Sequence, residues 1–214
     1  QVYPRQGIDM NLSLQITPPY SAFRGDDVDY KSMSDEDRYR WIEYHKWSGK
    51  IAVFTKLVGD LVLMTRAQFG YLGYYNRDLG YSPFEGFLVG GDGMSGYSTY
   101  GSEVISLRGY DNYSLTPVVD GAYAGNVYDK FTLELRYPVI LQPSSTIYAL
   151  VFLEGGNCWA DIRDFNPFQI KRSAGVGVRV FLPMIGLLGV DWGWGFDDPV
   201  NGGSQFHFVI GQQF

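Results

Sequence analysis

Between residues 7 and 17 the chain reads GIDMNLSLQIT, and its apolar residues fall on every second position. Ile8, Met10, Leu12, Leu14 and Ile16 share one parity, while Asp9, Asn11, Ser13, Gln15 and Thr17 share the other. Successive side chains of a strand point to opposite faces, so an unbroken alternation predicts a strand with one apolar and one polar face. Seven more segments alternate, at 44–58, 61–75, 129–140, 145–154, 170–182, 187–196 and 204–214. The connections alternate as well. Short ones at 58–60, 141–144 and 183–186 take turns with long ones at 18–43, 76–128, 155–169 and 197–203. Tight turns at one end and long loops at the other are the pattern of a transmembrane antiparallel β-barrel.

The polar parity carries the charge. In 129–140, Phe131, Leu133, Leu135 and Tyr137 take one face and Thr132, Glu134 and Arg136 the other. In 170–182, Ala174, Val176, Val178 and Val180 oppose Gly175, Gly177 and Arg179. In 187–196, Leu188, Val190, Trp192, Trp194 and Phe196 oppose Gly189, Asp191, Gly193 and Gly195. A charge at the bilayer midplane costs about 2–4 kcal/mol, so the apolar parity is assigned to lipid and the charged parity to the interior. Ile8, Leu12, Leu14, Val176, Val178, Trp192 and Phe208 should then form an exposed apolar belt. Tyr44, Trp47, Tyr71, Tyr74, Tyr75, Tyr137, Trp192 and Trp194 crowd strand ends, where aromatic girdles sit. A soluble β-sandwich also alternates, but its strands recur at shorter intervals than these loops allow. An eight-stranded barrel is only wide enough for its own side chains. A 76–128 loop that folds inward does not fit inside eight strands, so these strands read as half of a wider barrel.

Composition narrows the function. Aromatics make up 17% of the chain and there are 27 glycines, which suits neither a disordered nor a helix-rich protein. The net charge of −6 offers no basic footprint, so nucleic acid is not an expected partner. No apolar run reaches the length of a membrane helix, and no signal peptide opens the sequence. The abrupt start at QVYPRQG reads as a processed end or a cut from something longer. Cys158 is the sole cysteine, read as a chance thiol in an extracellular loop, and excludes an internal disulfide. His45 and His207 stand outside any metal-spaced cluster and read as interfacial or lumenal, so neither a metal nor a cofactor is expected. There is no GxSxG elbow. Paired inner acids can perform glycoside chemistry at suitable spacing, but an arginine between them points to structure, and no catalytic residue is expected. SDEDRYR, at 34–40, reads as a solvated loop or short helix, with an accessory protein as a possible contact.

Two motifs of the long loop, LVGGDG at 88–93 and SLRGYDNY at 106–113, together with the terminal QFHFVIGQQF, resemble the BamA-like outer-membrane assembly factors. That family has a glycine-glycine stretch and an RG(F/Y) tip in its sixth extracellular loop, five strands after the tip, and an aromatic last residue. YPRQG before the first strand resembles the family's YPxxG turn. The likeness covers the whole chain, 1–214, as the C-terminal half of a sixteen-stranded barrel. The stretch 94–106 departs from the pattern by widening the gap between GGDG and RGY.

The resemblance implies a protein of the Gram-negative outer membrane that folds and inserts other barrels without ATP. Its partners would be outer-membrane lipids, unfolded outer-membrane clients and accessory assembly lipoproteins. Periplasmic POTRA domains would receive substrates, and the seam between first and last strands would open to a client strand. The implied site is the tip Arg108, Gly109 and Tyr110, locked in the lumen by Glu134 and Glu154. The glycine-rich stretch Gly90, Gly91, Asp92 and Gly93 would accompany it. Phe206, Phe208, Ile210 and Phe214 would form the terminal strand signal, with Gly211 weakening that strand from within. A two-partner secretion or TamA-like transporter of the same superfamily, a passive pore and an outer-membrane enzyme are the alternatives.

Overall fold

The structure, a computed structural model, describes residues 2–25, 27–94, 101–197, 200 and 203–211. The strands are β1 Gly7–Ile16, β2 His45–Lys56, β3 Val62–Gly73, β4 Glu85–Val89, β5 Gly101–Ile105, β6 Val118–Val119, β7 Ala122–Tyr123, β8 Val127–Gln142, β9 Ser145–Trp159, β10 Lys171–Leu182, β11 Gly186–Gly195 and β12 Ser204–Ile210. Eight of them form one antiparallel sheet in the order β1-β2-β3-β8-β9-β10-β11-β12, the wall of a half-barrel. The remaining four make two small ribbons inside the connection between β3 and β8, and β4 and β5 run parallel. Among the described residues no helix is long and apolar enough to cross a membrane. Among the described residues the one α-helix, α1 Asp35–Arg38, lies in the charged 34–40 stretch, with Ser34 accepting the Asp37 N–H as N-cap.

Alternation governs burial in the inverted sense of a membrane wall. On β8, Phe131, Leu133, Leu135 and Tyr137 are 39–59% exposed, whereas Lys130, Thr132, Glu134 and Arg136 are 1–4% exposed. The apolar belt is continuous with Ile8, Leu12, Leu14, Val176, Val178, Trp192 and Phe208, all 41–78% exposed. In water such a surface would be a liability; in hydrocarbon it is the favoured one.

The opposite face is layered. Near the short turns, Tyr3, Ala52, Phe54, Val62, Met64, Tyr148, Leu150, Phe152 and Leu187 pack into an apolar cluster. Tyr3, from YPRQG, stacks edge-on against Tyr148 at 5.2 Å, and its hydroxyl lies 2.9 Å from the carbonyl oxygens of Asp60 and Arg136. Burial pushes that hydroxyl up to about 12, so it stays protonated as a donor. At the long-loop end, Leu72 of β3, Tyr128 of β8 and Cys158 of β9 pack against Phe87, Val89, Ile105, Leu107, Tyr110 and Leu115 of the connection. The charged layer lies between the two clusters.

Boundaries on β8, β9 and β12 differ from those the alternation predicts. β8 and β9 extend to 127–142 and 145–159, since their ladder continues through Val127↔Trp159. Cys158 is therefore not in a loop; it is buried in the upper cluster. Glycines at 155 and 156 break the apolar alternation there, which hides the strand from a periodicity reading. Gly211 lies just past β12 at φ 89°, and its N–H still donates to the Leu187 carbonyl oxygen at 2.8 Å. Phe214, the last predicted signal residue, lies outside the described residues.

Candidate functional site

The loop tip is built by the glycine-rich stretch. Gly90, Gly91 and Gly93 have φ of 125°, 81° and 79°, values that side chains disfavour. This folds the chain so that Gly91 exchanges both backbone hydrogen bonds with Leu107, at 3.0 and 3.1 Å. Asp92 turns its carboxylate to the Met94 N–H, and its own N–H donates to the Asn112 side chain. The residue before the tip is thus held by the GGDG backbone. Within the 94–106 stretch, β5 aligns beside β4. Lys46 of β2 pins this ribbon, with its Nζ 3.2 Å from both Glu85 and Glu103 and 5.0 Å from the Phe87 ring centre.

Arg108 is 5% exposed and binds three carboxylates from three strands. Nη2 lies 2.7 Å from Glu134 of β8 and 2.7 Å from Glu154 of β9, and Nη1 lies 3.0 Å from Asp191 of β11. Its backbone N–H also donates to Glu154 at 3.0 Å. The guanidinium carbon sits 3.6 Å from the centre of the Phe152 ring. The acids are shared with the wall: Arg136 holds Glu134, Lys130 holds Glu154 and Arg179 holds Asp191. Buried charges are tolerated only when paired and hydrogen-bonded, and here each carboxylate has at least two cationic partners. Together they draw the Arg108 guanidinium upward in pKa despite its burial, fixing it as a cation.

The family-model comparison matches an Omp85 superfamily domain over residues 1–214. The chain belongs to the Omp85 superfamily. Members are outer-membrane β-barrels that act as transporters or assembly factors rather than enzymes. That places this Omp85 domain broadly in protein insertion or secretion at the outer membrane. No curated protein matches the chain.

In this Omp85 domain the tip rests on a track of small residues. Gly109, at φ 88°, lies so close to β11 that a Cβ on it would stand 2.7 Å from the Gly195 nitrogen. A Cβ on Gly193 would stand 2.8 Å from the Gly109 nitrogen. Tyr110 is fully buried, and its hydroxyl donates to the Arg172 carbonyl oxygen at 2.6 Å. Of the terminal residues, Phe206, Phe208 and Ile210 are 60–70% exposed and belong to the apolar belt, away from the tip.

Asp191, Arg136, Arg179, Lys130, Phe152 and His207 complete the cluster, and sequence reasoning did not single them out as tip partners. Alternation carries a signal for most of them: Asp191, Arg136 and Arg179 stand on the inward parity, as lone charges among apolar or glycine neighbours. His207 sits between two outward phenylalanines. The expected pair of acids was incomplete because parity assigns a face but not a height along the strand.

Proposed function

We propose that this chain is the C-terminal half of a BamA-like barrel that folds and inserts other outer-membrane proteins. The 76–128 loop fills the lumen, the tip Arg108, Gly109 and Tyr110 locks it to the wall, and Gly90, Gly91, Asp92 and Gly93 brace the tip. When its seam with the first strand of the intact barrel opens, β12 offers that edge to a client strand, a form of β-augmentation. An exposed strand edge normally invites uncontrolled pairing, and here controlled pairing is the activity. The outward residues Phe206, Phe208 and Ile210 contact lipid and, with Phe214, mark that strand. Clients, outer-membrane lipids and accessory lipoproteins are the partners, and no cofactor takes part.

The observation that carries this reading is the convergence of Glu134, Glu154 and Asp191 on Arg108. Three strands of one wall are tied to one loop residue, so wall and loop change state together. A passive pore has no use for a lock that fills its conduit.

The test is client insertion by the full-length protein in proteoliposomes. Arg108→Ala should reduce the insertion rate severely, because removing one partner of a buried ion cluster costs about 3–5 kcal/mol. Lys31→Ala serves as control, since its pair with Asp78 is exposed and such pairs contribute about 0–1 kcal/mol. Equal insertion by both variants overturns the proposal. Normal insertion with loss of substrate export assigns the chain to the secretion branch of the superfamily.

A further inference from the structure

β12 is the last strand of the sheet, and among the described residues only β11 pairs with it. Its outward side chains face the belt. Its inward side chains face the loop tip, and two of them bond to it. The Gly109 N–H donates to Nε2 of His207 at 2.8 Å, and Nε2 of Gln205 donates to the Asp111 carboxylate at 2.6 Å. His207 is 3% exposed.

The register makes the first contact informative. His207 stands directly across from Asp191 on the β11–β12 ladder. Asp191 binds the Arg108 side chain, and its rung partner binds the backbone of the next residue, Gly109. Two consecutive tip residues are therefore held by two paired residues of neighbouring strands. A glycine is required at 109, because any side chain there would strike the β11 backbone and lift the amide away from the imidazole.

We propose that His207 is a positioning residue that couples the loop tip to the terminal strand, so that the state of the Arg108 lock sets how freely β12 leaves the tip. With the tip seated, β12 is held by its ladder to β11 and by two bonds to the loop. With the tip withdrawn, only the ladder remains. A ring nitrogen that accepts a hydrogen bond carries no proton, so Nε2 is bare and Nδ1 carries the proton of the neutral ring. The doubly protonated ring would turn N–H against N–H and break the tether. The charged groups that face the imidazole are Arg108 of the tip, Asp92 of the glycine-rich stretch, Glu154 of β9 and Asp191 of β11. None of them can replace the lost acceptor without leaving its own partner.

The link to client insertion rests on the function proposed above; the tether itself does not. The experiment is hydrogen exchange on the full-length protein in a lipid bilayer. His207→Phe keeps a ring and removes the acceptor. It should accelerate amide exchange across 204–210 by roughly two- to tenfold, the loss expected of one hydrogen bond, with β8 and β9 unchanged. His207→Gln, whose side-chain oxygen can accept, should restore most of the protection. Unchanged exchange in His207→Phe, or an increase spread evenly over the sheet, overturns the tether. If β12 loosens and client insertion is unaffected, the tether stands and the lateral-edge function falls.

Discussion

Arg108 presents five N–H donors in one plane, and Glu134, Glu154 and Asp191 lie around that plane while Phe152 lies beneath it. Lysine offers the same charge but neither the fork nor the flat face. Arg108→Lys is therefore expected to behave almost like Arg108→Ala, lowering the thermal midpoint of the folded barrel in semi-native electrophoresis. A lysine variant as stable as wild type would show that charge alone suffices. Tyr3 is a gentler case. Tyr3→Phe retains the stack on Tyr148 and removes the hydroxyl that reaches Asp60 and Arg136. A loss of about 0.5–1.5 kcal/mol in denaturant unfolding is expected.

At the scale of elements, β11 does two jobs with its two faces. Val190, Trp192 and Trp194 stand outward at 41–50% exposure, while Gly193 and Gly195 leave the other face bare for the tip. As a strand, β11 would gain from β-branched residues in place of glycine. As a seat, it would be ruined by them. Gly195→Val is expected to leave β11 in the sheet and to unseat Gly109 and Tyr110, because a Cβ there meets the Gly109 carbonyl oxygen and the Tyr110 ring. Limited proteolysis of intact cells should then cut near 106–113 in the variant alone. If the loop stays protected, the glycine track is not what seats it.

For the whole molecule, the sheet is a wall with hydrocarbon on one side and a packed loop on the other. Leu133 pairs with Thr65 and Leu153 in the middle of the belt. Leu133→Arg is expected to destabilise the bilayer-embedded protein by about 2–4 kcal/mol, measured by reversible unfolding from lipid vesicles. A much smaller loss would place this face away from the hydrocarbon midplane. The outer edge of β12 gives a second test. A cysteine pair joining β12 to the first strand of the intact barrel should stop client insertion when oxidised and restore it on reduction. Breaking such a seam costs about 0.5–1.5 kcal/mol per hydrogen bond, a barrier that binding energy alone can meet. Insertion at the normal rate through a fully locked seam removes lateral opening from the mechanism.

Alternation alone decided the eight wall strands, which face of each meets lipid, and that Glu134, Glu154, Asp191 and Arg179 point inward. The reason is local: side-chain direction in a strand is fixed by parity, and the energetic difference between lipid and interior is large for every charge. The RGY and GGDG motifs singled out the loop tip through their resemblance to the family's sixth-loop pattern. Which inward groups meet was decided by the tertiary structure. Asp191 lies far along the chain from Arg108, and only the stagger of β8, β9 and β11 brings three acids to one height. The pairing of His207 with Asp191 rests on the β11–β12 register in the same way. Cys158 and the upper turn of β9 were hidden for the opposite reason: Gly155 and Gly156 interrupt the alternation, and the strand persists there because β8 and the loop supply the hydrogen bonds and packing that the local sequence does not specify.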